Sequence, residues 1–90
     1  MRDRLKAREV KPMIKYAVVT SYSFDSDLPV RLFETEASAV EFLRTDYENE
    51  CRIDREEGKN TEASIDEDGW SASIDHNGDV TEWRIGRVLQ

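Results

Sequence analysis

Two consecutive segments of the sequence share nearly the same pattern, and this near-repeat constrains the fold more than any other feature. Residues 63–70 read ASIDEDGW, and residues 72–80 read ASIDHNGDV. Each copy is a short run of alternating apolar and polar residues that leads into Asp-Gly or Asn-Gly. These dipeptides supply the positive φ angles of tight hairpin turns. Two successive hairpins therefore predict a three-stranded antiparallel meander.

The register of this meander can be predicted as well. Two-residue turns at Asp68-Gly69 and Asn77-Gly78 fix which residues pair, and directly paired residues share a face of the sheet. One face then collects the apolar side chains: Ala63, Ile65, Trp70, Ala72, Ile74, Trp83 and Ile85. The opposite face collects the polar ones: Ser64, Asp66, Ser71, Ser73, Asp75, Glu82 and Arg84. A slip by one residue would expose the apolar set to water.

The preceding residues predict two strands and one helix. Residues 14–24 alternate and are rich in β-branched and aromatic side chains, as in a strand. Residues 30–34 predict a short strand, and Pro29 before them favours an edge position. Thr35 is suited to cap a helix of about residues 36–57, which would stop at Gly58. The fold class is thus α+β, a single antiparallel sheet with one helix packed on one face, in the order ββαβββ.

The helix predicts one core stripe and leaves two apolar residues outside it. The stripe has the spacing of a buried face and contains Val40, Leu43, Tyr47 and Cys51. Phe42 and Ile53 lie roughly opposite, so we expect them to be exposed, with Ala39 nearby. Isolated exposed apolar residues are ordinary, but two on one stripe could form a dimer or partner contact.

Charge divides the chain into a basic arm, residues 1–12, and one acidic domain, residues 13–90. The first fifteen residues carry six basic and two acidic side chains, whereas the rest carry seven basic and eighteen acidic ones. An acidic body repels nucleic acid and attracts basic surfaces. We therefore expect a basic protein surface as partner and no direct contact with nucleic acid, although the charge could serve solubility alone.

Composition also bears on location. The sequence has no run of about 18 apolar residues that could span a membrane, and its first residues are charged rather than apolar as in an export signal. Cys51 is the single cysteine, which excludes an internal disulfide and suits a reducing compartment. We expect a cytoplasmic protein that does not bind membranes.

No motif in the sequence indicates catalysis, a cofactor or a metal site. The acidic segments at residues 66–69 and 75–79 lack the later bidentate Glu of calcium loops, and hairpin turns explain them. His76 lies beside a turn, where we expect a solvated side chain, and one histidine with one distant cysteine does not make a zinc site. Cys51 fits a small buried apolar group. We expect a protein that is not an enzyme.

Several short segments carry a resemblance to a known group of proteins. Residues 16–25 (YAVVTSYSFD), 52–54 (RID), 67–69 (EDG) and 82–86 (EWRIG) resemble small acidic proteins of gut Firmicutes and their mobile elements. The resemblance covers residues 13–89 and excludes the basic arm. It implies a bacterial or phage setting and assigns no catalytic residue.

Two main hypotheses for function follow, beside a third, a small hydrolase that uses carboxylates. The first is a non-enzymatic acidic interaction module, a phage or mobile-element modulator or inhibitor of a basic, nucleic-acid-binding host protein. Its candidate contact residues are Glu41, Phe42, Glu48, Ile53, Glu56 and Glu57. The alternative is a small homo-oligomeric structural protein, for example a homodimer formed through Phe42 and Ile53 or through the edge strand after Pro29.

Overall fold

Five antiparallel strands and one helix form the structure, a computed structural model that describes residues 14–89. The predicted basic arm, residues 1–12, lies outside the described residues, as do Met13 and Gln90. The elements are β1 (Ile14–Tyr22), β2 (Val30–Phe33), α1 (Glu36–Glu56), β3 (Thr61–Ile65), β4 (Ser71–His76) and β5 (Asp79–Leu89). The predicted α+β class, with a single antiparallel sheet and one helix, is confirmed.

The strands lie in the order β2-β1-β5-β4-β3. Both predicted hairpin registers are confirmed, since Ile65 pairs with Ala72 and Ile74 pairs with Thr81. β2 is an edge strand, as Pro29 predicted. β1 ends at Tyr22, two residues before the predicted end, because the chain turns there and Tyr22 bridges Asp25.

Local signals set both ends of α1. The Thr35 hydroxyl accepts a hydrogen bond from the backbone N–H of Ser38 at 3.1 Å and caps the first turn. At the other end, Gly58 adopts φ +73°, a left-handed conformation that ends helices and favours glycine. The predicted start and stop of the helix are therefore confirmed.

The core lies between α1 and the predicted apolar face of the sheet. Its buried members are Val18, Ala39, Leu43, Ala72, Ile74, Trp83 and Ile85. The buried Trp83 indole N–H donates to Asp46 Oδ2 at 2.9 Å, which supplies the acceptor that a buried indole needs. Ala63 is exposed although it has the predicted register. One helix of about 10 Å diameter cannot cover five strands spaced about 4.8 Å apart, and Ala63 lies on the edge strand β3.

Gly69 joins the β3–β4 turn to the helix. Its φ is +76°, and a Cβ at this position would lie 2.8 Å from Val40 Cγ1. The turn therefore approaches α1 so closely that only glycine fits. This contact fixes the meander against the helix from one end of the sheet.

Candidate functional site

A cleft opens at the end of the molecule where α1 finishes, β1 and β4 end, and β5 begins. Its volume is about 360 Å³, within the range of small-molecule and side-chain pockets. We call it the acidic cleft. Its lining consists of Tyr22, Phe24, Glu50, Ile53, Asp54, Glu57, Lys59, His76, Asp79 and Thr81.

A buried polar network forms one wall of the acidic cleft. The side chain of Asp54 is 3% exposed and that of His76 is 8% exposed. Asp54 Oδ2 accepts hydrogen bonds from His76 Nδ1 and from Thr61 Oγ1 at 3.0 Å. On the other side of the imidazole, His76 Nε2 lies 3.0 Å from Thr81 Oγ1. The network therefore joins α1 to β3, β4 and β5.

The prediction that His76 is solvated is wrong. His76 follows Ile74 by two residues on β4, so its side chain points to the same face of the sheet, toward the helix. Asp54 follows Leu43 by eleven residues, which at about 100° per residue returns it to within about 20° of Leu43 on the helix surface. The two side chains therefore meet in the interior, and each satisfies the other there.

The order carboxylate, imidazole, hydroxyl in this network is also the order used by serine hydrolases. Such a hydroxyl must reach a substrate, whereas Thr81 is 2% exposed and belongs to the core face of β5. A carboxylate oxygen accepts hydrogen bonds, so the Asp54–His76 contact is satisfied by the imidazole tautomer that has its hydrogen on Nδ1. We interpret this network as a structural link that secures the last turns of α1.

The opposite wall of the acidic cleft is aromatic. The rings of Tyr22 and Phe24 lie 5.2 Å apart at an interplanar angle of 43°, and Phe24 is 58% exposed. Burial, and then the charges of Asp46, Glu50, Asp25 and Asp27, raise the pKa of the Tyr22 phenol above its ordinary value. The aromatic pair therefore lies in a region of negative potential.

The carboxylates at this end of the molecule come from several elements. Glu50, Asp54 and Glu57 come from the C-terminal half of α1 and its cap, and Asp79 comes from the start of β5. The Lys59 ammonium lies 3.3 Å from Glu57 Oε1. The carboxyl end of a helix also carries a partial negative charge, so the acidic cleft favours a cation.

The four predicted acidic contact residues fall into two groups. Glu41 and Glu48 are exposed on the outer surface of α1. Glu56 pairs with Arg52 at 3.1 Å, whereas Glu57 is the helix cap and lines the acidic cleft.

A second cavity, of about 390 Å³, lies on the flank of α1, but Arg52 and Arg55 line it together with Asp46 and Glu48. The outer helix surface is therefore mixed in charge, and the acidic cleft has the stronger excess of carboxylates.

The prediction that Phe42 and Ile53 are exposed opposite the core is wrong. Both are half-buried, and Ala39, expected to be exposed near them, is completely buried. The buried face is centred near Leu43, and Phe42 and Ile53 lie about 80–100° from it, on one flank. Phe42 packs on Phe33 with ring centroids 5.3 Å apart, while Ile53 lines the acidic cleft.

The position of Asp54 near the centre of the buried face explains why the predicted core stripe differs from the observed one. Counting only apolar residues shifted the predicted stripe toward Val40 and Cys51, which are half-buried on the other flank. The sequence did contain one signal for the network. The predicted register places His76 on the same face as Ile74, and this placement contradicts a solvated side chain.

Residues 14–89 lack the side-chain cluster of a metal site and a membrane-spanning helix. Within that range, no group of three or more His, Cys, Asp or Glu side chains has the arrangement of a metal site. No helix in the same range has both the length and the apolar character needed to cross a membrane.

No protein-family model matches the chain, and comparison with curated proteins and with solved structures finds no significant match.

Proposed function

We propose that this protein is a non-enzymatic interaction module that docks a basic surface of another protein. The observation that carries the proposal is the concentration of carboxylates around the acidic cleft. Glu50, Asp54, Glu57 and Asp79 line it, and the charges of Asp25, Asp27 and Asp46 act on Tyr22 at its rim. Clustered charge of one sign attracts an oppositely charged partner and accelerates its association.

The partner that we propose is a nucleic-acid-binding protein. Its binding surface would carry clustered Lys and Arg side chains, and carboxylates can meet these with the same charge-assisted hydrogen bonds that phosphates make. Glu41 and Glu48 on α1 would extend the contact beyond the acidic cleft. In the bacterial or phage setting that the resemblance implies, such docking would inhibit or modulate a host protein.

The experiment is to capture partners from a bacterial lysate and then to measure association rates with the purified partner. We expect the rate to fall with rising salt, because salt screens exposed charges. Replacing Glu41 and Glu48 with Gln should slow association at low salt, and replacing Glu50 and Glu57 should slow it more.

The matched control is the double variant Glu62→Gln/Glu67→Gln. Both residues are exposed and lie on β3 and in the β3–β4 turn, outside the acidic cleft. This variant has the same net charge as each test variant. Salt-independent rates, or equal slowing by all three variants, would contradict docking through the acidic cleft and α1.

A second candidate function is a homodimer formed through the edge strand β2. Leu28, Val30 and Leu32 occupy alternate positions and are 60%, 55% and 51% exposed. Thr20 donates a backbone hydrogen bond to Pro29 at 3.0 Å, and the antiparallel alternation then turns the backbone groups of Val30 and Leu32 away from β1. Such an edge can pair with another strand. Sedimentation tests this candidate, since Val30→Lys should dissociate the dimer, and a monomeric parent protein at high concentration would refute it.

A further inference from the structure

We propose that the acidic cleft is a receptor for one arginine side chain of the partner, which stacks on the Tyr22–Phe24 pair and binds the carboxylates around it. This inference rests on the proposed function and names the chemical group that the module recognises. Arginine is favoured over lysine because its planar guanidinium stacks on aromatic rings while its N–H groups bind carboxylates.

At two other places the protein itself holds a guanidinium group over an aromatic ring. Arg31 lies over the ring of Phe42, with its Cζ 5.3 Å from the centroid, and Phe42 is paired with Phe33. Arg87 lies over Trp70 at 4.8 Å, and Trp70 is paired with Tyr16. In both cases an aromatic pair beside the helix carries an arginine from the sheet.

Four aromatic pairs lie in residues 14–89. The Tyr47–Trp83 pair includes the buried core residue Trp83. The Tyr22–Phe24 pair has an exposed ring, and no guanidinium from residues 14–89 lies over it. Carboxylates also lie around this aromatic pair. Glu50 and Asp79 line the same cleft, and Phe24 is more than half exposed. Aromatic surface and carboxylates thus converge on one space, as they do in sites that bind organic cations.

The Lys59 ammonium in the acidic cleft leaves room for a partner's side chain. Lys59 is a lining residue whose ammonium lies beside Glu57, on the helix-cap side. The other part is lined by Tyr22 at the end of β1, by Phe24 just after it and by Asp79 at the start of β5. A guanidinium bound there would contact Glu50 and Asp79 without displacing the Lys59–Glu57 pair.

The test is an NMR titration of the full chain, labelled with ¹⁵N, with the capped tripeptide Gly-Arg-Gly. We expect shifts concentrated at residues 22–25, 50–57 and 76–81, and weaker binding of Gly-Lys-Gly. Phe24→Ala should weaken binding of the arginine peptide about three- to tenfold, the loss typical of a partly exposed cation–π contact. Glu50→Gln should also weaken it, whereas Glu62→Gln, on β3 and outside the acidic cleft, should not.

Thermal melts of each variant separate a binding defect from a folding defect. Because Phe24 is largely exposed, its alanine variant should melt near the parent temperature. Equal binding of the lysine peptide, or unchanged binding by Phe24→Ala, would overturn the inference.

A long oligolysine probe distinguishes failure of the arginine-receptor inference from failure of the proposed function. Salt-sensitive binding of that probe, with shifts spread over α1 and no response to Phe24→Ala, would overturn the arginine receptor and leave the acidic module supported. No binding of either probe at low salt would overturn both.

Discussion

Replacing Asp54 with alanine tests whether the buried network secures α1 to the sheet. The carboxylate accepts hydrogen bonds from Thr61 and His76. Its removal leaves the buried His76 N–H without that partner, whereas the half-buried Thr61 hydroxyl also lies 3.3 Å from the backbone oxygen of Lys59. An unsatisfied buried donor costs about 1–3 kcal/mol. We expect a loss near the upper end, about 3 kcal/mol, a large part of the roughly 5–13 kcal/mol that is ordinary for a domain of this length.

A double-mutant cycle isolates the Asp54–His76 contact from its surroundings. Asp54→Ala, His76→Ala and the double variant should give a coupling free energy of about 1.5–3 kcal/mol, the range of hydrogen bonds to charged groups. Urea unfolding followed by tryptophan fluorescence supplies the free energies, since Trp83 is buried under α1. Glu41→Ala, on the outer surface of the helix, is the control and should change stability by less than about 0.5 kcal/mol.

Two outcomes of this cycle would refute the reasoning. A coupling below about 0.5 kcal/mol would mean that the two side chains act independently. A loss below about 1 kcal/mol for Asp54→Ala would mean that the carboxylate is solvated rather than buried.

Three further predictions concern single positions. Gly69→Ala should lower the free energy of unfolding by more than about 1 kcal/mol in urea melts, because a Cβ there meets Val40 and the φ is positive. Gly78→Ala is the control and should lower it less, because Gly78 also has a positive φ but a Cβ there would lie in open space. The raised pKa of Tyr22 means that the folded state holds the phenol proton more tightly than the unfolded state, so this contribution to stability is complete below pH about 10 and is lost as pH rises through the folded pKa. Glu50→Gln should lower the Tyr22 pKa in an NMR titration. An unchanged pKa would contradict the negative potential at the acidic cleft. Burial raises the pKa of the Cys51 thiol, so a disulfide reagent at neutral pH should react more slowly with the folded protein than with the urea-unfolded one, and equal rates would refute this.

The features that the sequence predicted correctly all depend on local chemistry. The Asn-Gly turn fixes the β4–β5 register, Thr35 and Gly58 bound the helix, and Pro29 places β2 at an edge. Each signal acts within a few residues of the structure that it determines. For that reason the strand pairing could be predicted without knowledge of the tertiary contacts.

The candidate site could not be predicted in the same way, because its parts come together only after folding. Asp54 and His76 are 22 residues apart, and a hydropathy pattern assigns each of them to solvent. Phe24 falls in a loop after β1, and Asp79 begins β5, far along the sequence. The net charge of the domain predicted an excess of carboxylates on its surface but did not specify which surface would carry them.

The position of β5 has a consequence for how the chain folds. This strand is the last element described, yet it lies between β1 and β4 and pairs with both. Without β5, β1–β2 and β3–β4 are two separate hairpins with no common sheet. Ile14 pairs with Leu89, which lies 75 residues later in the sequence, so this pairing cannot form before β5 is present. Contacts so distant in sequence slow folding. During synthesis the nascent chain should therefore stay protease-sensitive until β5 leaves the ribosome, and then the sheet should close in one step.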